Sequence, residues 1–289
     1  MTGNEFAKKS YGYALGAIKA TSHPPLSEDD FRRLRDCDLK GFKRLLDELG
    51  WARGIEGDIP ERIEGEFNYA VNFIKDISPD KSLTDLLLFE EDSENLKLFL
   101  KAKILNVDVS DIANRGASVP IEIVRACVEA SDFTLIGEEV HEELKEIEFE
   151  SDPFIISSKA DRAIFLHTLK VAKKKNKALY TMLLKYGEAK NQISEIRLKQ
   201  MGVDSKKYKD LLLPVSYKSL ENDTSRSDDE IISHAKEKIS RAMYELRSGE
   251  NFAPIAEYFF AKKTEAGMLR LILAECELKG LGEEVSDNG

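Results

Sequence analysis

Apolar residues recur along this chain at three- and four-residue intervals, the spacing that gathers them on one face of an α-helix. After Pro24-Pro25 the pattern runs through Phe31, Leu34, Leu39, Phe42, Leu45, Leu46 and Leu49, predicting one or two amphipathic helices. Residues 95–105 (NLKLFLKAKIL) are apolar on nearly all sides, which predicts a buried helix. Val140, Leu144 and Ile147 form a stripe within the acidic run 138–150. Residues 163–177, 179–186 and 231–246 read as further helices, and 11–20 as a first one. Alternating, β-branched runs are nearly absent; residues 132–136 (DFTLI) are the best strand candidate. The predicted fold class is all-α. Breaks fall at Pro24-Pro25, 54–60, 77–81, 118–120, 151–153, Pro214 and 221–229, the last being the most polar.

Internal repetition adds more than any single element. Shifted by 96 residues, 83–108 falls on 179–204 without gaps. Leu83/Leu179, Leu87/Leu183, Leu88/Leu184, Asn95/Asn191, Lys103/Lys199, Val107/Val203 and Asp108/Asp204 are then identical, Asp92 meets Glu188, and Pro24 meets Pro120. A further shift of 77 residues sets Lys185, Glu188 and Ala189 on Lys262, Glu265 and Ala266. Between first and third copies, Leu96, Leu98, Leu100 and Leu105 meet Leu269, Leu271, Leu273 and Leu278, and Lys97 meets Arg270. The shared unit reads as helix, short polar break opening with an acid, then a second apolar helix. An acid at that break would complement the positive end of the second helix. The repeat motif is therefore Asp92, Asn95, Glu188, Asn191, Glu265 and Arg270. It suggests three segments: 1–118 (an N-terminal helix plus repeat 1), 119–214 (repeat 2) and 215–289 (repeat 3). These periods exceed the roughly 34–47 residues of helical solenoids.

Composition narrows the function. The 289 residues are 33% charged and 42% hydrophobic, a core-forming balance. A net charge of −10 disfavours a general nucleic-acid binder, which needs a basic face. No run approaches the ~20 apolar residues of a membrane span. Lys8-Lys9 before 11–20 faintly resembles a signal peptide, but Lys19 interrupts the stretch and no small-residue cleavage site follows. Cys37, Cys127 and Cys276 build no CxxC or zinc spacing and read as reduced, buried thiols in a cytoplasmic compartment.

Chemistry-bearing motifs are sparse. There is no GxxxxGK[ST] loop and no GxGxxG after a strand, so nucleotide hydrolysis is not expected. Gly12 and Gly16 form a GxxxG, read in a soluble chain as close helix-on-helix approach. His23, His141, His167 and His234 have no histidine at i+3 or i+4, so no helical metal pair is offered. His167 reads as a hydrogen-bonded core residue and His141 as part of a solvated acidic face. No catalytic, cofactor-binding or metal-binding residue is assigned. The acidic run 138–150 and the basic run Lys170, Lys173, Lys174, Lys175 and Lys177 are either docking faces for charged partners or ordinary wet helix faces.

Several ordered motifs carry a family resemblance. Residues 258–273 (YFFAKKTEAGMLRLIL), closing with Lys279-Gly280-Leu281, resemble the last repeat of the C-type subunit of the archaeal and bacterial V/A-type ATPases, the counterpart of the d-type subunit of the eukaryotic vacuolar ATPase. Asp92-x-x-Asn95-Leu96-Lys97 with Leu100-Lys101-Ala102-Lys103 is similar to the first repeat of that family. Asp161-Arg162-Ala163-Ile164-Phe165 is similar to a helix of the second, and Tyr11-Gly12-Tyr13 with Gly16, Ile18 and Ala20 to its opening. Glu188 stands where the family has Asp, and His23-Pro24-Pro25 replaces a leucine pair.

The resemblance implies a funnel-shaped protein of three related helical lobes, peripheral on the cytoplasmic side of the membrane. It would be a non-catalytic central-rotor adaptor of the V-type ATPase, an ATP synthase or ion-transport machine. It would seat the central stalk subunits on the membrane rotor ring and pass torque for hydrogen ion or sodium ion transport. It would touch the membrane only through the ring, and be a monomer when isolated. Two other classes stay open on the residues alone: a free-standing α-helical protein-interaction module, and a helical enzyme whose acids converge only in the fold.

Overall fold

The computed structural model describes residues 10–218, 227–246 and 251–287. They form α1 (Tyr11–Lys19), α2 (Glu28–Arg35), α3 (Leu39–Glu48), α4 (Ile59–Ile77), the short α5 (Lys81–Asp85), α6 (Phe89–Leu105), α7 (Ile121–Ala130), α8 (Glu138–Leu144), α9 (Pro153–Lys175), α10 (Lys177–Gln200), the short α11 (Tyr208–Leu211), α12 (Asp228–Leu246) and α13 (Ala253–Asp287). Among the described residues there is no strand, and the fold is all-α.

Local chemistry sets the helix starts. Ser27 and Asp30 close a capping box at α2, and Asp58 and Glu61 do the same at α4. Asp152 caps α9 with Pro153 at its first position, and Asn176 breaks α9 from α10 while accepting from the Leu179 N–H. The predicted helices over 163–177 and 179–186 are thus parts of two longer ones.

The chain divides into two compact units: residues 1–79 with 251–289, and residues 80–250. In the first, α13 packs along α4 and touches α1, α2 and α3. Phe67 meets Phe259 at 5.9 Å and Phe73 meets Tyr258 edge-on at 5.4 Å. Leu34, Phe42, Ile74, Leu269 and Ile272 lie fully buried there. In the second unit, α9 packs on α6, α8 and α10, and α12 packs on α10. Phe89, Phe165 and Tyr186 make a three-ring core at 5.3–5.9 Å. Gly187 permits this approach: a Cβ there would stand 2.9 Å from Val215 and 3.0 Å from Phe165.

Four sequence expectations need correction. Residues 132–136 form a turn, not a strand: Thr134 N–H donates to the Asp132 carboxylate, and Gly137 N–H donates to the Phe133 carbonyl at 3.0 Å. No break opens at Glu188 or Glu265, which lie inside α10 and α13; only Asp92 sits in a first helical turn. The GxxxG of α1 makes no close approach, because Gly16 faces open space and the buried residue of that helix is Ala14. Cys37 is only half-buried, unlike Cys127 and Cys276. Of the polar break 221–229, residues 221–226 lie outside the described residues.

Candidate functional site: buried clamps and exposed apolar residues

The repeat motif becomes legible as a set of clamps. In the second unit Asn95, on α6, donates from Nδ2 to the Asn114 carbonyl at 2.8 Å and accepts from the Asn114 N–H at 2.9 Å. Asn191, on α10, does the same for Leu213, at 2.9 and 2.8 Å. Each buried carboxamide therefore pairs with both backbone groups of one half-buried loop residue; the Leu213 carbonyl also accepts from the Val215 N–H at 2.8 Å, and the Asn114 carbonyl from the Ala117 N–H at 3.5 Å. The ends of these helices match too. Asn106 and Gly202, equivalent under the 96-residue shift, are both left-handed, at φ 52° and 70°. Val107 and Val203 N–H each reach back five residues, to the Ala102 and Leu198 carbonyls at 3.1 and 3.0 Å. Asp108 and Asp204 each accept from the N–H two residues on, both at 3.0 Å.

The acids differ from copy to copy. Asp92 is buried and accepts from Ser118 N–H at 2.7 Å, Val119 N–H at 2.9 Å and the Ser118 hydroxyl. Burial outweighs these three donors and pushes its carboxyl up to about 6. The segment it holds ends in Pro120, at the start of α7. Glu188 clamps nothing of this kind; it is half-exposed, 3.8 Å from Lys238. Glu265, in the first unit, holds a different proline-bearing segment. Its carboxylate accepts from the Leu26 N–H, just past Pro24-Pro25, at 2.6 Å, and from Trp51 Nε1 at 2.9 Å.

Glu265 also belongs to a buried charge network. Lys262, one turn earlier on α13, is wholly buried and donates to Glu265 and, at 2.6 Å, to Glu66 on α4. The other oxygen of Glu66 accepts from His23 Nδ1 at 2.8 Å. His23 stacks on Tyr69 at 3.9 Å, and its carbonyl accepts from the Tyr258 hydroxyl at 3.0 Å. Two carboxylates, one ammonium and one imidazole thus tie the C-terminal helix to the 23–26 segment and to α4. Arg270 lies outside the network, exposed and paired with Glu64 at 2.8 Å. Its first-repeat counterpart Lys97 is half-buried; burial would depress its ammonium, but Asp161 and Glu94 hold it above its ordinary value.

Sequence reasoning found Glu265 but missed Glu66, His23 and Trp51. Lys262 carried a signal, since the repeat alignment set it on Lys185.

The acidic and basic runs partly neutralise each other within the second unit. Glu139 pairs with Lys170 and accepts from His167 Nδ1 at 3.2 Å, and Glu143 pairs with Arg162 at 2.9 Å. Burial lowers the pKa of His167, and Gly137 makes room for its ring: a Cβ there would stand 2.5 Å from Nδ1. His141 turns toward the 132–136 turn, accepting at Nδ1 from the Phe133 N–H at 3.3 Å. Lys173, Lys174 and Lys177 stay exposed around the α9–α10 junction, where positive charge suits the C-terminal end of α9.

One surface feature follows the repeat. Leu105, Met201 and Leu278 are equivalent under the two shifts and stand 70%, 59% and 70% exposed. Ile104, Val107 and Ile112, near the first in sequence, are exposed as well. Among the described residues, no helix is long and apolar enough to cross a membrane.

A comparison with curated proteins gives no match. The family model described as the ATP synthase (C/AC39) subunit matches residues 14–244, most of the chain, and the protein belongs to that family.

Proposed function

We propose that this protein is the rotor adaptor of its ATPase, seating the central stalk on the membrane ring and passing torque between them, without an active site of its own. The observation that carries the reading is the apolar residue left in water at Leu105, Met201 and Leu278. A large apolar side chain alone on a surface is ordinary, but the same exposure at three repeat-equivalent positions is what a protein with a partner at those positions would keep. The buried clamps supply the other requirement. A part that transmits torque must not yield, and side chains that fix loop backbone to helix stiffen it without moving parts. The exposed lysines at the α9–α10 junction add an electrostatic component to docking. On this reading the protein sits peripherally on the cytoplasmic side and reaches the membrane only through the ring.

The test uses Leu105→Asp, Met201→Asp and Leu278→Asp singly and together. Each should keep the melting temperature of the parent chain while weakening capture of the stalk or ring proteins. Unimpaired assembly by the triple variant would refute the docking role of these positions.

A free-standing interaction module remains the competing reading. It would bind partners outside the ATPase and would not occur once per complex.

A further inference from the structure

Two of the three thiols lie together although 239 residues separate them. Cys276, on α13, is 2% exposed, and its Sγ rests 3.5 Å from the backbone oxygen of Cys37. Cys37 occupies the turn between α2 and α3, and both residues belong to the first unit. The Cys37 thiol donates to the Arg33 carbonyl at 3.3 Å and is half-buried, so a small reagent can reach it. A rotation about its χ1 moves the sulfur off that carbonyl. The residue beside it is Gly41, whose absent Cβ would otherwise stand 3.5 Å from the same sulfur. The Cys276 sulfur abuts the Cys37 backbone, and closing a disulfide would require the Cys37 sulfur to leave the Arg33 carbonyl and swing toward it. Burial raises the pKa of Cys276 and shields it from solvent, so reaction with an outside reagent falls to Cys37, and Cys276 reacts through its proximity once the mixed disulfide has formed beside it.

We infer that Cys37 and Cys276 form a redox-responsive thiol pair, with Cys37 as the entry point for a low-molecular-weight disulfide such as oxidised glutathione and Cys276 as the resolving thiol. The exchange balances. The Cys37 thiolate attacks one sulfur of the reagent, whose S–S bond breaks and releases a glutathione thiolate. The Cys276 thiolate then attacks the Cys37 sulfur of the mixed disulfide and expels the second glutathione. Two protein thiols are oxidised, one disulfide is reduced, and the two protons end on the two released thiols. The product ties α13 to the α2–α3 turn, joining covalently two segments of the first unit. Closing so long a loop constrains the unfolded chain, so oxidation should raise the melting temperature and reductant should reverse the rise.

The full chain is incubated with oxidised glutathione and examined by intact mass and by peptide mapping under non-reducing conditions. The expected result is loss of two hydrogens, one Cys37–Cys276 cross-linked peptide, and Cys127 still free. Cys276→Ser should stop at a single glutathione adduct on Cys37, and Cys37→Ser should give neither adduct nor cross-link at Cys276. Because Cys276 is buried, circular dichroism accompanies its variant, with Cys276→Ala as a second substitution. A parent chain that retains glutathione on Cys37 without cross-linking would overturn the inference. So would one that cross-links only between molecules.

Discussion

Asp92 and Glu265 are aligned acids that play the same kind of role in different surroundings. Asp92 lies on α6 and Glu265 on α13, and each accepts backbone N–H from a segment beside a proline. Asp92 does this locally, for Ser118 and Val119, with uncharged donors alone. Glu265 does it across 239 residues, for Leu26, and shares Lys262 with Glu66. Where the clamp closes a nearby loop, hydrogen bonds hold a carboxyl whose pKa has drifted upward. Where it joins segments far apart in sequence, a buried cation is added. The difference teaches that repetition keeps the position of the acid but not its electrostatic balance, which each copy settles with its own neighbours.

The largest expected effect comes from removing the cation. Lys262→Ala leaves two buried carboxylates facing each other and should cost about 3–5 kcal/mol of stability, read by urea unfolding. Adding Glu66→Gln should recover part of that loss. A Lys262 variant as stable as its parent would mean the network is solvated.

The paired carboxamides come next. Asn95→Ala and Asn191→Ala each leave a loop N–H without its acceptor and remove one of the donors to the loop carbonyl, and should each cost about 1–3 kcal/mol. Near-equal losses would support equivalence of the two clamps, and a neutral result at either one would break it.

Asp92→Asn sharpens the contrast through pH. An acid raised from 3.8 to about 6 stabilises the fold fully only below its unfolded value, and that contribution fades as pH rises through 6. Asparagine can still accept from both backbone N–H groups at its oxygen, while its Nδ2 donates to the Ser118 hydroxyl. The variant should therefore gain about 1–2 kcal/mol on its parent between pH 4 and pH 7. A parent-minus-variant difference that stays flat over that range would contradict the assignment.

Glu188→Ala should be the mildest, within about 0.5 kcal/mol, because its pairing with Lys238 is half-exposed and long.

The sequence makes some of this legible and hides the rest for a physical reason. Helical class follows from apolar spacing, and Asn95 and Asn191 stand out because the side chain does the clamping and so must be the same residue. Their targets do not stand out, since a backbone amide is bound alike in Asn114 and Leu213. The acids appear as a repeat, but their expected role at a helix start fits only Asp92. Glu188 and Glu265 lie inside continuous helices, and what Glu265 holds is far away in sequence. Glu66 and His23 carry no local signal, because a buried charge is recognised only by the partner the fold brings to it.

The adaptor role itself is tested most directly by stoichiometry. Most soluble oligomers repeat one interface between identical chains. Here the repetition lies within the chain, so a single copy can present related but diverged apolar positions to an asymmetric stalk. Sedimentation velocity at micromolar concentration, alone and with the stalk protein, should give a monomer and then a one-to-one complex, loosened by added salt. A stable homodimer or homotrimer with no affinity for the stalk would contradict the account.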